Sequence, residues 1–295
     1  MLPNWHRVFF WVMAGAAILL ALYLLISPGL AERFVFIPDS TDPGAPPVLA
    51  GIPGEDVELE ASDGIQIHGW WWNAGADAPA VVFFHGNAGN ISIRVHTARG
   101  LVERGVSVFL LSYRGYGRSQ GRPSEEGVLL DGRRALDWVA DEVGGAHRVV
   151  LHGRSLGGFV AAGVAAVTSS PVGGLILEST FTSLHAMARE VYPFIPSFLM
   201  SRLHGHFDTL STVQSTQHPI LVIHGGADRL IPPAMGESIH ATAPNAQEFY
   251  RVSGAGHNDL PMVAGAEYFD RVASFVRQVA GTGAGAEGAG GGSMP

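Results

Sequence analysis

The clearest structural signal in the chain is Arg148-Val149-Val150-Leu151-His152-Gly153-Arg154-Ser155-Leu156-Gly157-Gly158. An apolar, β-rich run ends in the pattern Gly-x-Ser-x-Gly, and a predicted helix rich in small residues continues from it to Val167. This order predicts a sharp strand-to-helix turn that lifts the hydroxyl of Ser155 above the edge of a sheet. Ser155 is therefore the candidate nucleophile.

A second copy of the pattern occurs at Gly117-Arg118-Ser119-Gln120-Gly121. Ser119 lies eight residues beyond the end of its predicted strand, and Arg122-Pro123 follow it, so a helix cannot begin there at once. We interpret Ser119 as a loop serine with a structural role.

On both sides of Ser155, short apolar runs alternate with longer amphipathic ones. The predicted strands are Val57–Ala61, Ile65–Trp72, Ala80–Phe84, Val106–Leu111, Arg148–Leu151, Gly174–Leu177, Ile220–Ile223 and Gln247–Val252. The predicted helices are Ile91–Arg104, Glu125–Val143, Leu156–Val167, Pro233–Thr242 and Ala266–Ala280. This alternation predicts an α/β protein with a doubly wound, mostly parallel sheet and helices on both faces.

A serine hydroxyl becomes a good nucleophile when a base takes its proton and an acid orients that base. Asp228 fits the acid, because it directly follows an apolar strand in His224-Gly225-Gly226-Ala227-Asp228. His257 fits the base, in the glycine-rich loop Ser253-Gly254-Ala255-Gly256-His257 after the last strand. Glu178, at the end of another strand, is the weaker candidate for the acid.

Acyl transfer also needs hydrogen-bond donors for the negative oxygen that forms in the reaction. The backbone N–H of Leu156, next to the nucleophile, is one candidate. The loop His85-Gly86-Asn87-Ala88-Gly89-Asn90 follows a strand and is glycine-rich, so the N–H of Asn87 is predicted to be the second donor.

Four segments together resemble the BEM46-like alpha/beta hydrolases, a group that includes ABHD-type membrane-tethered serine hydrolases. They are His85–Asn90, Tyr113–Ser119, Gly153–Gly158 and His224–Asp228. The resemblance covers about residues 30 to 280. It implies an alpha/beta-hydrolase fold and hydrolysis of ester, thioester or amide bonds, with Ser155, Asp228 and His257 in the positions of the family triad. Relatives that remove palmitoyl groups from proteins have a cysteine-rich N-terminus, which this sequence lacks.

The N-terminal region contains twenty uncharged residues, Val8–Ser27, enough for a helix that spans about 30 Å of bilayer. We predict an anchor at 1–31, a proline-rich lead-in at 32–56, the hydrolase domain at 57–280 and a disordered Gly/Ala-rich tail at 281–295. We expect a single-pass membrane protein whose catalytic domain lies outside the cytoplasm. A cleaved signal peptide is the alternative to an anchor.

An insertion at about 181–218 is predicted to form a small helical cap over the strand ends. Its large apolar side chains suggest contacts with a small-molecule or lipid acyl substrate, and the candidates are Tyr192, Phe194, Phe198 and Met200. The cluster His204-Gly205-His206-Phe207-Asp208 has weak metal-ligand spacing, so no metal site is predicted.

Composition narrows the function further. The net charge of −8 makes nucleic acid a poor partner, and the absence of cysteine excludes thiolate chemistry. No cofactor is implied. The sequence therefore predicts a serine esterase or thioesterase. The alternatives are a peptidase or amidase of the prolyl-oligopeptidase type and a catalytically silent binding module on the same fold.

Overall fold

The computed structural model describes residues 11–16, 18–20, 32, 35–194, 203 and 206–281. Its strands are β1 Ile37–Pro38, β2 Glu55–Glu60, β3 Gln66–Trp72, β4 Ala80–Phe84, β5 Ala88–Gly89, β6 Ser107–Ser112, β7 Val149–Arg154, β8 Gly174–Glu178, β9 Ile220–Gly225 and β10 Ala246–Val252. Eight of them form one sheet in the order β10-β9-β8-β7-β4-β6-β3-β2, and β1 pairs with β5. Only the β2–β3 and β3–β6 pairings of the large sheet are antiparallel, so the predicted mostly parallel sheet is confirmed.

The α-helices that follow residue 90 are α1 Val95–Val102, α2 Glu125–Val143, α3 Leu156–Val167, α4 Leu184–Val191, α5 Thr209–Ser215, α6 Pro233–Thr242, α7 Leu260–Ala264 and α8 Ala266–Ala280. Capping residues fix both ends of helix α2. The side chain of Ser124 accepts a hydrogen bond from Gly127 N–H at the start, and Gly144 takes a left-handed conformation at the end. Four helices have the bounds that the sequence predicts: α2, α3, α6 and α8.

Two apolar cores lie on the two faces of the sheet. Side chains of β4 alternate between them: Val82 and Phe84 join the core under α2 and α3, while Val81 and Phe83 join the core under α1 and α8. Because the central strands are covered on both faces, their sequences are apolar throughout rather than alternating.

Two details differ from the sequence-based expectation. The segment predicted as one helix at Ile91–Arg104 is a 3₁₀ turn, Ile91–Arg94, followed by α1. Asp131 lies on α2, where an aspartate is ordinarily expected to face solvent, but it is 0% exposed and binds Arg114 at 2.8 Å. It lies three residues after the buried Val128 on α2, so helical spacing turns it toward the core.

The lead-in is packed onto the domain rather than running free. Its β1 pairs with β5 next to Asn87, Leu49 is fully buried, and the indole N–H of Trp72 donates to Pro47 O at 2.9 Å. The β1–β5 pairing holds the start of the lead-in beside the loop that follows β4, and the Pro47 contact holds its later part against β3.

The N-terminal region is described at 11–16 and 18–20, where it is helical. Among the residues described, no helix has the length and apolar character needed to cross a bilayer. Most of the predicted span Val8–Ser27 lies outside those residues, as do residues 282–295 of the predicted tail.

Candidate active site

Ser155 lies at the turn between β7 and α3, with φ 55° and ψ −120°. A residue other than glycine rarely adopts this backbone conformation, so the surrounding packing must hold Ser155 in it. The hydroxyl of Thr180 donates to Ser155 O at 2.7 Å, and Gly157 lies so close to β4 that an added Cβ would be 2.0 Å from Phe84 O. The strained turn presents the Ser155 hydroxyl at the C-terminal edge of the sheet.

The structure brings the three predicted triad residues into one hydrogen-bonded chain. His257 Nε2 is 3.1 Å from Ser155 Oγ, and His257 Nδ1 is 2.7 Å from Asp228 Oδ2. Because a carboxylate can only accept, Nδ1 carries the proton and Nε2 is left to accept from the serine hydroxyl. This is the arrangement that base-assisted attack by a serine requires.

Asp228 is held as a carboxylate. Its Oδ1 accepts from the backbone N–H groups of Leu230 and Ile231, both at 2.9 Å. Burial acts to raise the pKa of Asp228, but the hydrogen bonds from His224, His257 and Ile231 outweigh burial and leave the pKa below its usual value. The residue therefore stays ionised next to His257 over the whole physiological range.

Glu178 does not contact His257 through its side chain. Its Oε2 accepts from His152 Nε2 at 2.9 Å and from the hydroxyl of Tyr268, and its Oε1 lies 3.4 Å from Arg154 Nε. Burial acts to raise the pKa of Glu178, but the His152 hydrogen bond and the Arg154 charge lower the pKa to about 2. Glu178 is thus the centre of a separate buried polar cluster beneath the site.

Arg154 connects that cluster to the histidine loop. Its Nη2 donates to His257 O at 2.9 Å and to Asn258 Oδ1 at 3.1 Å, while its Nε faces Glu178. Sequence reasoning did not identify this role, since the two partners are 103 and 104 residues away along the chain. The position directly before the nucleophile was the only available signal.

The two predicted oxyanion donors lie beside Ser155. Leu156 begins α3, so its N–H has no partner within the helix, and no described residue accepts from the N–H of Asn87. The loop of Asn87 is fixed from three sides: the Tyr116 hydroxyl and Ile37 N–H donate to its carbonyl, and its side-chain amide donates to Val35 O. Both amides are therefore available and rigidly placed.

His85 begins the same loop and is fully buried. Its Nδ1–H donates to Gly86 O at 2.6 Å, and its ring packs against Tyr113 and Tyr116. Burial and the nearby Arg94 charge lower the pKa of His85 to about 3, so its ring is neutral and acts as a support for the loop.

A small, mostly apolar cavity of about 150 Å³ opens at the nucleophile. It is lined by Val35, Asn87, Ser155, Leu156, Phe181, Met187, Leu230 and Ile231. The predicted substrate residues Tyr192 and Phe194 do not line it and are 50% and 80% exposed. Phe198 and Met200 lie outside the described residues. The contact of these four side chains with substrate stays a prediction.

The other candidates have structural partners elsewhere. The Ser119 hydroxyl is buried, donates to Ser112 O at 2.7 Å and accepts from His68 N–H at 2.8 Å. His206 binds Glu125 through Nδ1, and Asp208 accepts from Ser211 N–H at the start of α5. His204 lies outside the described residues.

Comparisons with known proteins identify the family to which the chain belongs. A family model of the alpha/beta hydrolase fold matches residues 79–203. The chain is 36% identical over 254 residues to an uncharacterized protein of Mycobacterium tuberculosis, covering 84% of this chain and 88% of that one. It is 30% identical over 233 residues to Schizosaccharomyces pombe bem46, covering 76% of this chain and 77% of bem46. The chain belongs to the BEM46-like alpha/beta hydrolases.

Further similarities extend over most of the chain. The Arabidopsis thaliana alpha/beta hydrolase domain-containing protein WAV2 is 30% identical over 292 residues, with 91% of this chain and 92% of WAV2 covered. Among solved structures, an esterase from Pyrococcus furiosus superposes with a TM-score of 0.65 at 21% identity, covering 81% of this chain and all of that one. Family and fold together make this chain an enzyme of the alpha/beta hydrolase class, and the predicted resemblance is confirmed.

Proposed function

We propose that this hydrolase cleaves carboxylic esters or thioesters of apolar acyl groups through an acyl-enzyme formed on Ser155. The observation that carries the proposal is the hydrogen-bonded chain from Ser155 through His257 to Asp228, beside two free amides and an apolar cavity. The solved esterase of similar fold agrees with it at the level of architecture.

The mechanism follows from the positions of these groups. Ser155 Oγ attacks the acyl carbon while its proton passes to His257 Nε2, and the carbonyl oxygen becomes an oxyanion held by the Asn87 and Leu156 N–H groups. The bond between the acyl carbon and the leaving group then breaks, and His257 donates its proton to the leaving alcohol or thiol. A water molecule, whose proton passes to His257, then attacks the acyl carbon of the acyl-enzyme. The bond to Ser155 breaks, which releases the acid and restores the Ser155 hydroxyl. Asp228 orients the imidazole and stabilises its protonated form.

The acyl group is assigned to the cavity lined by Phe181, Met187 and Leu230. Each methylene buried there adds about 0.8 kcal/mol of binding, which is roughly a fourfold gain in kcat/KM. An apolar cavity of this size holds about as many carbons as benzene has. We therefore expect kcat/KM for p-nitrophenyl esters to rise from acetate to about hexanoate and then to level off.

The measurement uses C2 to C16 p-nitrophenyl esters, a matched thioester series and short peptide substrates. Phe181→Ala should flatten the rise with chain length, while Phe194→Ala, which does not line the cavity, tests whether the insertion contributes to the longer chains. Highest activity on acetate, or on peptides with no dependence on acyl length, would contradict the assignment to apolar acyl esters.

The same proposal places the enzyme at a membrane, with its catalytic domain outside the cytoplasm. It is supported by the twenty uncharged residues Val8–Ser27 and by the exposed apolar side chains of the helical residues described there: Trp11, Val12, Met13, Ile18, Leu19 and Leu20. The lead-in packs beside the Asn87 loop, so an anchored N-terminus would bring the acyl cavity close to the bilayer surface.

We expect the full chain to remain with membranes after extraction at alkaline pH, and a variant lacking residues 1–31 to be released. Protection of the catalytic domain from protease added to the cytoplasmic side measures its orientation. A mature protein that begins near Glu32 would favour the cleaved signal peptide, and a domain digested from the cytoplasmic side would reverse the orientation.

A further inference from the structure

A second cleft, which shares no lining residue with the apolar cavity, lies next to the segments that carry the triad. It has a volume of about 430 Å³, and its lining includes Ala88, Gly89, Arg94, Arg154 and Asn258. Three of these are chain neighbours of reacting groups: Ala88 follows Asn87, Arg154 precedes Ser155, and Asn258 follows His257. The cleft therefore adjoins the loops that carry Ser155, His257 and the Asn87 donor.

Arg94, on the 3₁₀ turn before α1, is a partly buried cation that forms no salt bridge with a described Asp or Glu, although it lies within the field of Glu178. Its Nη2 donates to Ala88 O at 2.8 Å, and its Nε is buried with no hydrogen-bond partner there. Burial and the charge of Arg154 lower the pKa of Arg94 to about 10, so it remains a cation at neutral pH. A buried charge is costly unless an opposite charge compensates it.

The local charge count leaves a positive excess. Arg154 is already paired with Glu178, and it donates to the His257 loop. The carboxylate of Glu178 is thus the counter-charge for both Arg154 and Arg94. The described lining of the cleft contains no Asp or Glu. This excess is local, since the whole chain carries a net charge of −8.

We propose that this cleft binds an anionic group, a carboxylate or a phosphate, on the leaving-group half of the ester, with Arg94 as its counter-ion. The inference rests on the proposed function and adds a substrate class to it: an apolar acyl group joined to an anionic alcohol or thiol. The leaving-group half is assigned here because Asn258 adjoins His257, which must return its proton to that half, while the apolar cavity is lined by both oxyanion donors and by no chain neighbour of His257. Guanidinium suits both anions because its planar donors match their oxygen geometry.

Three butyrate esters test the proposal, with leaving groups 3-hydroxybenzamide, 3-hydroxybenzoate and 3-hydroxyphenyl phosphate. Their acyl groups are identical, and their hydroxide-catalysed rates correct for intrinsic reactivity. We expect a higher kcat/KM for the anionic esters, and the better of the two identifies carboxylate or phosphate as the preferred group. Arg94→Met should lower the anionic-to-neutral ratio by about tenfold to a hundredfold.

The matched control is Arg99→Met, which removes the same charge from an exposed position on α1 outside the cleft and should leave the ratio within about twofold. Added salt should lower the ratio in the unchanged protein, a readout that holds even if Arg94→Met does not fold. An equal ratio for the three esters, or a ratio unaffected by Arg94→Met, overturns the proposal.

A preference for an anionic acyl group, measured with monosuccinate esters, overturns the assignment to the leaving group. Failure of all the esters together with absent fluorophosphonate labelling of Ser155 instead refutes the proposed function, and this inference falls with it. Hydrolysis of the neutral ester without an anionic preference refutes only the inference.

Discussion

Ser155→Ala is expected to lower kcat for ester hydrolysis by about a millionfold and to abolish covalent labelling by a fluorophosphonate probe. The substitution removes only the hydroxyl group, whose oxygen lies 3.1 Å from His257 Nε2. Alanine retains a Cβ, so the strained backbone at φ 55° is kept and the thermal midpoint of unfolding should change little. Residual activity would come from the oxyanion donors and from substrate binding alone.

Ser119→Ala is the matched control, because Ser119 lies in the same Gly-x-Ser-x-Gly pattern. Its hydroxyl bridges Ser112 O and His68 N–H, so the substitution should cost about 1 kcal/mol of stability and leave labelling intact. Loss of labelling in a folded Ser119→Ala protein, with labelling retained in Ser155→Ala, would refute the assignment of the nucleophile.

The fold could be predicted from the sequence wherever local pattern and local chemistry agree. Strand β4 and helices α2, α3, α6 and α8 have the predicted bounds because apolar runs end at clear signals, such as Ser124 before α2 and Gly144 after it. The pairing of β1 with β5 could not be predicted, since strands of two residues have no periodicity. The burial of Asp131 could be read from helical spacing, but nothing local indicates Arg114 as its partner.

The candidate site could also be predicted from the sequence only in part. Ser155, Asp228, His257 and Asn87 each follow a strand, and parallel strands bring their C-terminal ends to one edge of the sheet, so their meeting was predictable. The role of Arg154 was not, because its contacts depend on how the loop at His257 folds over the sheet. Long-range polar contacts of this kind leave no periodic signal in a single sequence.

Asp228→Asn is expected to lower kcat by about ten-thousandfold with little effect on folding. The loop should persist because the asparagine Oδ1 can still accept from Leu230 and Ile231 N–H. The lost group is the charged Oδ2 that accepts from His257 Nδ1 at 2.7 Å, so the tautomer that leaves Nε2 free is no longer favoured. Steady-state kinetics measure the loss, and titration with a fluorophosphonate probe reports how slowly Ser155 then reacts.

Glu178→Gln separates the two acids, because the carboxylate of Glu178 contacts Arg154 and none of the three triad side chains. We expect a fall in kcat of about tenfold or less, together with a loss of stability. The pKa of Glu178 is lowered from 4.5 to about 2, so its ionisation stabilises the fold above pH 4.5, and this contribution disappears as the pH falls toward 2. Urea unfolding across that range should show a shallower decline of stability in Glu178→Gln than in the parent. If Glu178→Gln instead lowers kcat more than Asp228→Asn while remaining folded, Asp228 is not the acid that orients His257.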